Sequence, residues 1–347
     1  MSTECGVRVV CRFRPLNGRE KKQGAFKPFL DFDRNGESVT VNYNNKTDQY
    51  NFDRVFGGEE ALSASQGKEV SACTQDEVWK DVGAPGVKEV TKGFMATIFA
   101  YGQTGAGKSF SMLGPDITSD NRGIIPRACQ ALFDYIEQDK DATEFQVKCS
   151  FLEIYKEAIR DLLSPGGSPL RVRETPQRGV WVDGITETFV SNMPEVMNLL
   201  ETGEKFRACA FTQMNATSSR SHSLFTITFS QKSKDGTEKI GRLNLADLAG
   251  SEKVGKTGAT GETLKEAMKI NQSLSALGNC INALSKSGKK GHIPYRDSKL
   301  THILKEALGG NSKTTLLIAC SPHISNADET ISTLRFGQRA KTIKNKV

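Results

Sequence analysis

The sequence contains no C-x-x-C pair, no internal repeat, no linker-like stretch and no apolar run of membrane-spanning length. Each absence excludes a class. The eight cysteines (5, 11, 73, 129, 149, 209, 280, 320) are scattered, several inside apolar runs such as Val9-Val-Cys11 and Ile318-Ala-Cys320. They read as reduced core thiols, which argues against a disulfide framework or a zinc site. The N-terminus has no signal-peptide-like apolar segment, so the expectation is a soluble cytoplasmic protein with no membrane partner, in which the Asn-x-Ser/Thr triplets at Asn45, Asn215 and Asn271 are chance matches. With 32 glycines spread evenly over 347 residues and no boundary between them, one large domain is expected.

Charge is unevenly placed. Lys253 to Lys305 holds ten Lys or Arg against three acids, Glu262, Glu266 and Asp297, an excess equal to the formal net charge of +7. Outside that window 37 basic and 37 acidic residues cancel. One segment therefore presents a basic face to an acidic partner. Nucleic acid fits the electrostatics, but the aromatic interleaving that stacks bases is missing, with only Tyr295 nearby.

The most specific local signal is Gly102-Gln-Thr-Gly-Ala-Gly-Lys108-Ser109, entered from the strand-like run Ala96 to Tyr101. Glycines 102, 105 and 107 let successive backbone N–H groups turn inward onto phosphate oxygens at a helix N-terminus. Lys108 supplies a charge for β/γ-phosphates and Ser109 a hydroxyl for Mg2+. The chemistry implied is nucleoside-triphosphate binding, which leaves kinase, GTPase, transporter ATPase and motor open.

Further strands are expected at Val7–Phe13, Phe145–Tyr155, Ser223–Ser230, Ile240–Leu248 and Thr314–Cys320. Helical stripes fall on Ile125, Ala128, Leu132 and Ile136 and on Ile270, Leu274, Leu277, Ile281 and Leu284. A last helix starts near Asp328, with acids in its first turn and Arg335, Arg339 and Lys341 towards its end. Alternating strands and helices, some strands in hairpin-like succession, indicate an α/β sandwich with a mixed sheet.

Asp247-Leu-Ala-Gly250 closes a strand with an acid and a glycine able to bring a backbone N–H to a γ-phosphate, the sensing geometry of a switch NTPase. The guanine-reader pattern Asn45-Lys-Thr-Asp48 is discounted because it precedes the phosphate loop and its surroundings read as a polar hairpin turn.

Asn215-Ala-Thr-Ser-Ser-Arg-Ser-His222 resembles the first switch of the kinesin family, Asp247 to Glu252 its second, and Arg12-Phe-Arg14-Pro15 its adenine clamp. Tyr101 to Met112, Ser150 to Leu163, Asn271 to Leu277, Ile293 to Leu300 and Thr333 to Asn345 match further stretches in order, so the resemblance to a kinesin motor domain covers essentially the whole chain.

The resemblance implies an α/β P-loop NTPase fold, a single domain with a central mixed, mostly eight-stranded sheet flanked by helices on both faces, and a set of residue roles. Arg12, Arg14 and Pro15 pack the adenine with Phe110, which replaces a usual histidine, while Phe94 replaces a common tyrosine; weak base discrimination follows. Gln103, Thr104, Gly105, Ala106, Gly107 and Lys108 cradle the phosphates of ATP or ADP. Ser109 and Ser219 ligate Mg2+, with Asp247 holding it through a water. Asn215, Ser218 and Gly250 close on the γ-phosphate, and an Arg220–Glu252 ion pair orients the lytic water, placing Glu252, Arg220, Ser218 and Lys108 in the catalytic set. Lys253, Lys256, Lys289, Lys290, His292, Arg296 and Lys299 fall on stretches that contact the microtubule in kinesins.

By the same likeness residues 1–341 form the motor domain and 342–347 begin a neck linker whose short partner is Met1 to Gly6. FGQRAKTIKN most resembles conventional kinesin-1 transport motors, which implies plus-end-directed movement and association with the microtubule cytoskeleton. No coiled-coil heptads follow, so the chain itself is expected to be monomeric, with dimerisation through a coiled coil elsewhere. Two alternatives are a kinesin-fold ATPase that regulates or depolymerises microtubules and a non-catalytic microtubule-binding module. Gly57 to Thr74 is a longer connection than the family's usual one and reads as a solvent loop. Lys156 and Phe206 stand where asparagines are common.

Overall fold

The structure is a computed structural model that describes residues 4–23, 29–33, 35–57, 73–138, 144–214, 218–252, 261–286 and 291–347. Eight strands run through its centre: β1 (Arg8–Phe13), β2 (Arg54–Phe56), β3 (Met95–Tyr101), β4 (Glu144–Tyr155), β5 (Thr188–Val190), β6 (His222–Lys232), β7 (Glu238–Asp247) and β8 (Lys313–Cys320). Their lateral order is β5-β4-β6-β7-β3-β8-β1-β2. Pairing is antiparallel from β5 to β7 and parallel from β7 to β2. The mixed sheet is as expected, and a ninth short strand, Ala158–Asp161, folds back on β4 outside the eight-strand path. That return turns at Lys156 and Glu157, with φ of 50° and 63°, the backbone of a two-residue hairpin that favours Asn or Gly.

The middle strands are apolar almost throughout because both faces are covered. In β3 every residue after Met95 is buried, the pattern of a parallel strand between two helical layers. On one face pack α2 (Ala84–Thr91), α3 (Lys108–Met112), α4 (Ile124–Gln138) and α5 (Met193–Met214), contributing Val87, Met112, Leu132 and Leu200 to one core. On the other lie α6 (Gly261–Ser285) and α7 (Ala327–Ala340), with Leu274, Leu277, Ile281, Leu334 and Phe336 in a second core. Both expected stripes face inward, apart from Ile136 and Leu284 at their ends, which are only partly buried. Asp328 and Glu329 open α7 and Arg339 closes it, while Arg335 pairs with Asp48 at 3.3 Å.

Asp48 belongs to a three-stranded lobe, Leu30–Phe32, Ser38–Tyr43 and Lys46–Asn51. Its last hairpin turns at Asn44 and Asn45, both at positive φ. The Asn45–Asp48 stretch is thus the polar turn expected and lies in a hairpin, away from the phosphate loop. Glu4–Gly6 pairs antiparallel with Lys344–Lys346. Buried Asn345 fixes that pair: its Nδ2 donates to Ala307 O (3.2 Å), Ser312 O (2.6 Å) and Thr314 Oγ1 (3.1 Å), and its Oδ1 accepts from Gly309 N (2.8 Å). The seven cysteines with described side chains are all free. No described helix is long and apolar enough to cross a membrane. Most of the Gly57–Thr74 connection lies outside the described residues.

Parallel register decides where a ligand fits. Asp247 stands opposite Ala100, Ile318 opposite Tyr101 and Cys320 opposite Phe13. The carboxyl ends of β7, β3, β8 and β1 therefore open on one edge, where crevices form in α/β sheets.

Candidate functional site

At that edge β3 runs into the glycine-rich loop. Gly102, Gly105 and Gly107 all take positive φ (150°, 73° and 103°), and a methyl on Gly102 would run into the Ala319 carbonyl of β8. Only glycine satisfies both the backbone and the close approach. Gly107 caps α3, so the loop's N–H groups and the helix start converge on one cleft of ≈ 600 Å³. Its lining unites Arg12, Arg14, Pro15, Thr104, Gly105, Ala106, Gly107, Lys108, Ser109, Phe110 and Ser219 with Cys73 and Leu248.

Lys108 is 6% exposed and donates from Nζ to Gly102 O and Gln103 O, both at 2.9 Å. Burial lowers its pKa, opposed by the charges of Asp247 and Glu252. Ser109 Oγ donates to Asp247 Oδ2 at 2.5 Å, while Asp247 Oδ1 is buried without a hydrogen-bond partner among the described residues. An orphaned carboxylate oxygen beside a hydroxyl suits a hard divalent cation that keeps water and phosphate ligands. No cluster of three or more carboxylates, histidines or cysteines able to cage a metal occurs among the described residues.

The second switch closes over the loop. Glu252 accepts from Thr104 N at 2.7 Å and from Thr104 Oγ1 at 2.5 Å. Gly250 sits between them, and a side chain there would overlap Thr104 Oγ1 and both Glu252 carboxylate oxygens. Its N–H, expected to face a phosphate, donates to Ser219 O at 2.8 Å, and Ser251 N donates to Gly102 O at 3.1 Å. Backbone bonds thus join the two switches to each other and to the loop. Arg220 is half-buried at the end of the turn Ser218–Arg220. Asn215 and the side chain of Ser218 lie outside the described residues.

On the base side the four clamp residues divide. Arg12, buried at the cleft wall beside Cys73, donates to Cys73 Sγ (2.8 Å), Cys73 O (3.1 Å), Gln75 Oε1 (2.7 Å) and Ser111 Oγ (2.8 Å). It supports the Phe110 ring, 5.2 Å from its guanidinium carbon, a cation–π distance. Phe110 itself is 43% exposed, and Arg14 borders the cleft through Gly105 O at 2.7 Å. One expectation is corrected. Phe94 enters β3 at the end of the strand opposite the loop, under Lys313 at 5.2 Å, and takes no part in stacking. Gln103 turns its side chain away, donating to Asn326 Oδ1 at 2.8 Å. Cys73, Gln75 and Glu20 were missed; only Glu20 carried a signal, the capping-box spacing from Asn17.

Of the basic window, Lys253, Lys256, Lys289 and Lys290 lie outside the described residues. His292, Arg296 and Lys299 are exposed. One acid beyond the window gathers three of its basic side chains: Glu174 accepts from Arg296 (3.0 Å), His302 (3.0 Å) and Lys305. Bonds from Lys305, Arg296 and His302 hold the Glu174 carboxyl down at about 2. Counting charges in the window alone therefore overstates the free positive surface.

The sequence matches the family model described as the kinesin motor domain over residues 12–343. It is 50% identical over 342 residues to the kinesin heavy chain of Botryotinia fuckeliana, spanning 98% of this chain and 37% of that protein. Against kinesin-related protein 5 of Dictyostelium discoideum it is 48% identical over 354 residues, spanning 100% of this chain and 34% of that protein. The chain thus spans about a third of the length of these curated relatives. A solved fast kinesin, described for its ATPase mechanism and interactions with microtubules, matches with a TM-score of 0.89 at 49% identity over 98% of this chain and 92% of its own. With a phosphate loop tied to two switches and a family match over nearly every residue, the chain belongs to the kinesin motor domain family.

Proposed function

We propose that the chain is a motor core that hydrolyses ATP, is stimulated by microtubules, and couples turnover to plus-end-directed movement. The observation that carries this is the junction at Gly250, where Glu252, Thr104 and Ser219 meet within hydrogen-bond reach of the phosphate loop. Such a junction lets a γ-phosphate in the loop pull on both switches at once.

Ser109 and Ser219 would hold Mg2+ directly and Asp247 through a water, the ion supplying positive charge against the β/γ-phosphate oxygens. Lys108 exchanges its two carbonyl partners for phosphate oxygens, a short move for a buried ammonium. Asn215, Ser218 and the Gly250 N–H close on the γ-phosphate. Arg220 pairs with Glu252 and draws it from Thr104 towards the lytic water. The water oxygen attacks phosphorus in line, the bond to the bridging oxygen breaks, and the water's proton passes to the Glu252 carboxylate. Positioning and charge compensation supply most of the rate.

The acidic surface of the microtubule receives Lys253, Lys256, Lys289, Lys290, His292, Arg296 and Lys299, and α6 behind them carries the contact back to the second switch. Residues 1–341 act as the motor and 342–347 as the start of a neck linker docked through Asn345. The test is Glu252→Ala, which should retain ATP binding while phosphate release collapses; unchanged steady-state turnover overturns the assignment.

A further inference from the structure

Beside the phosphate loop stands a second buried hub that none of the roles above uses. Glu20, 4% exposed in the short helix α1 (Gly18–Lys22), accepts five hydrogen bonds. Two form a fork with Arg14, NH1 to Oε2 at 2.6 Å and NH2 to Oε1 at 2.7 Å. The others come from Asn17 N (2.9 Å), Ser321 Oγ (3.0 Å) and Asn326 Nδ2 (2.9 Å). Burial alone would raise this carboxyl's pKa, yet the bonds from Arg14, Asn17 and Ser321 bring it below its ordinary value, so it stays ionised.

Both ends of the hub reach the loop. Arg14 donates from Nε to Gly105 O (2.7 Å), and Asn326 accepts from the Gln103 side chain (2.8 Å). The loop is therefore gripped at residues 103 and 105 through one carboxylate, and Asn326 also stands at the N-terminal boundary of α7, without a capping side-chain bond. Planar, bidentate Arg–carboxylate pairs fix orientation as well as charge. Arg14 and Pro15 border the cleft, whereas the phosphate cradle is built from the loop's own backbone and α3.

We propose that Glu20 is a positioning residue of the nucleotide site, holding Arg14 as the wall against which the base packs. The inference rests on the cleft taking a nucleoside triphosphate. Without Glu20 the guanidinium keeps only two neutral carbonyl partners, Pro15 O and Gly105 O, and swings with solvent. The base would then lose a rigid wall, and the phosphates would lose little.

The test is displacement of a fluorescent ATP analogue by Mg-ATP and, separately, by Mg-tripolyphosphate, which has no base. In Glu20→Gln, isosteric but uncharged, ATP affinity should fall about tenfold, the worth of one charged hydrogen bond, with tripolyphosphate affinity unchanged. Arg14→Gln should show the same split, and the double variant should lose no more than either alone. Equal losses for both competitors mean simple damage to the loop and overturn the proposal, as does unchanged ATP affinity or additive loss in the double variant. A wild-type chain that binds neither competitor instead removes the triphosphate reading beneath it.

Discussion

Lowering the pH from 7 to 5 should cost the fold about 2 kcal/mol through one side chain, His222. The ring is 3% exposed at the start of β6. Ala249 N donates to its Nδ1 at 3.0 Å, which leaves the ring proton on Nε2, 2.7 Å from Ser273 Oγ. Ser273 in turn donates to Ile270 O at 2.7 Å. A second ring proton would set two N–H groups against each other in a buried site. Burial first, then the positive charges of Arg207 and Lys108, push the pKa down to about 3. The unfolded chain, titrating near 6.5, binds the extra proton that the native state refuses, so stability is complete above pH 6.5 and is lost as pH falls towards 3. Each unit inside that window removes up to about 1.4 kcal/mol, and the sum from pH 7 to 5 is about 2 kcal/mol. Urea unfolding at pH 7, 6 and 5 would measure it against His222→Gln. That variant should be weaker at pH 7, from the disturbed buried bonds, but flatter with pH. Parallel pH profiles for the two proteins would refute the reasoning.

Gly250→Ala should lower single-turnover ATP hydrolysis by about a hundredfold, because its methyl would overlap Thr104 Oγ1 and the Glu252 carboxylate and hold the 250–252 backbone roughly an ångström off the phosphate loop; a rate within twofold of wild type contradicts it. Asn345→Ala strands Gly309 N–H and leaves Ser312 O only a long contact from Thr314 Oγ1 (3.4 Å), while Ala307 O keeps the same hydroxyl at 2.9 Å, a loss of about 1–3 kcal/mol. Hydrogen exchange should then speed up in Lys344–Lys346 and Glu4–Gly6 together, and unchanged protection would show that the latch does not hold the strand pair.

The phosphate loop was legible because its glycines answer a local demand, positive φ at 102, 105 and 107, that no tertiary contact can override. The central strands were legible for a similar reason, since long β-branched runs covered on both faces have few other fates. Phe94 was misjudged because the stacking expectation came from the family resemblance, although Phe94 precedes a strand that runs into the loop at Gly102 and so stands at its far end. The partners of Arg12 and of the Gln103 side chain, Gln75 and Asn326, could not be read from the sequence because they come from distant segments. The basic window looked stronger than it is because Glu174, far from it in sequence, folds against three of its basic side chains.

The central claim is that a microtubule, bound electrostatically, drives turnover in the cleft around Lys108 and Glu252. Phosphate release by the wild-type chain, measured with and without microtubules at low and at physiological salt, tests it most directly. Turnover should rise severalfold or more on adding microtubules at low salt, with apparent affinity falling steeply as salt screens the basic face. Turnover that is the same with and without microtubules at low salt would contradict it.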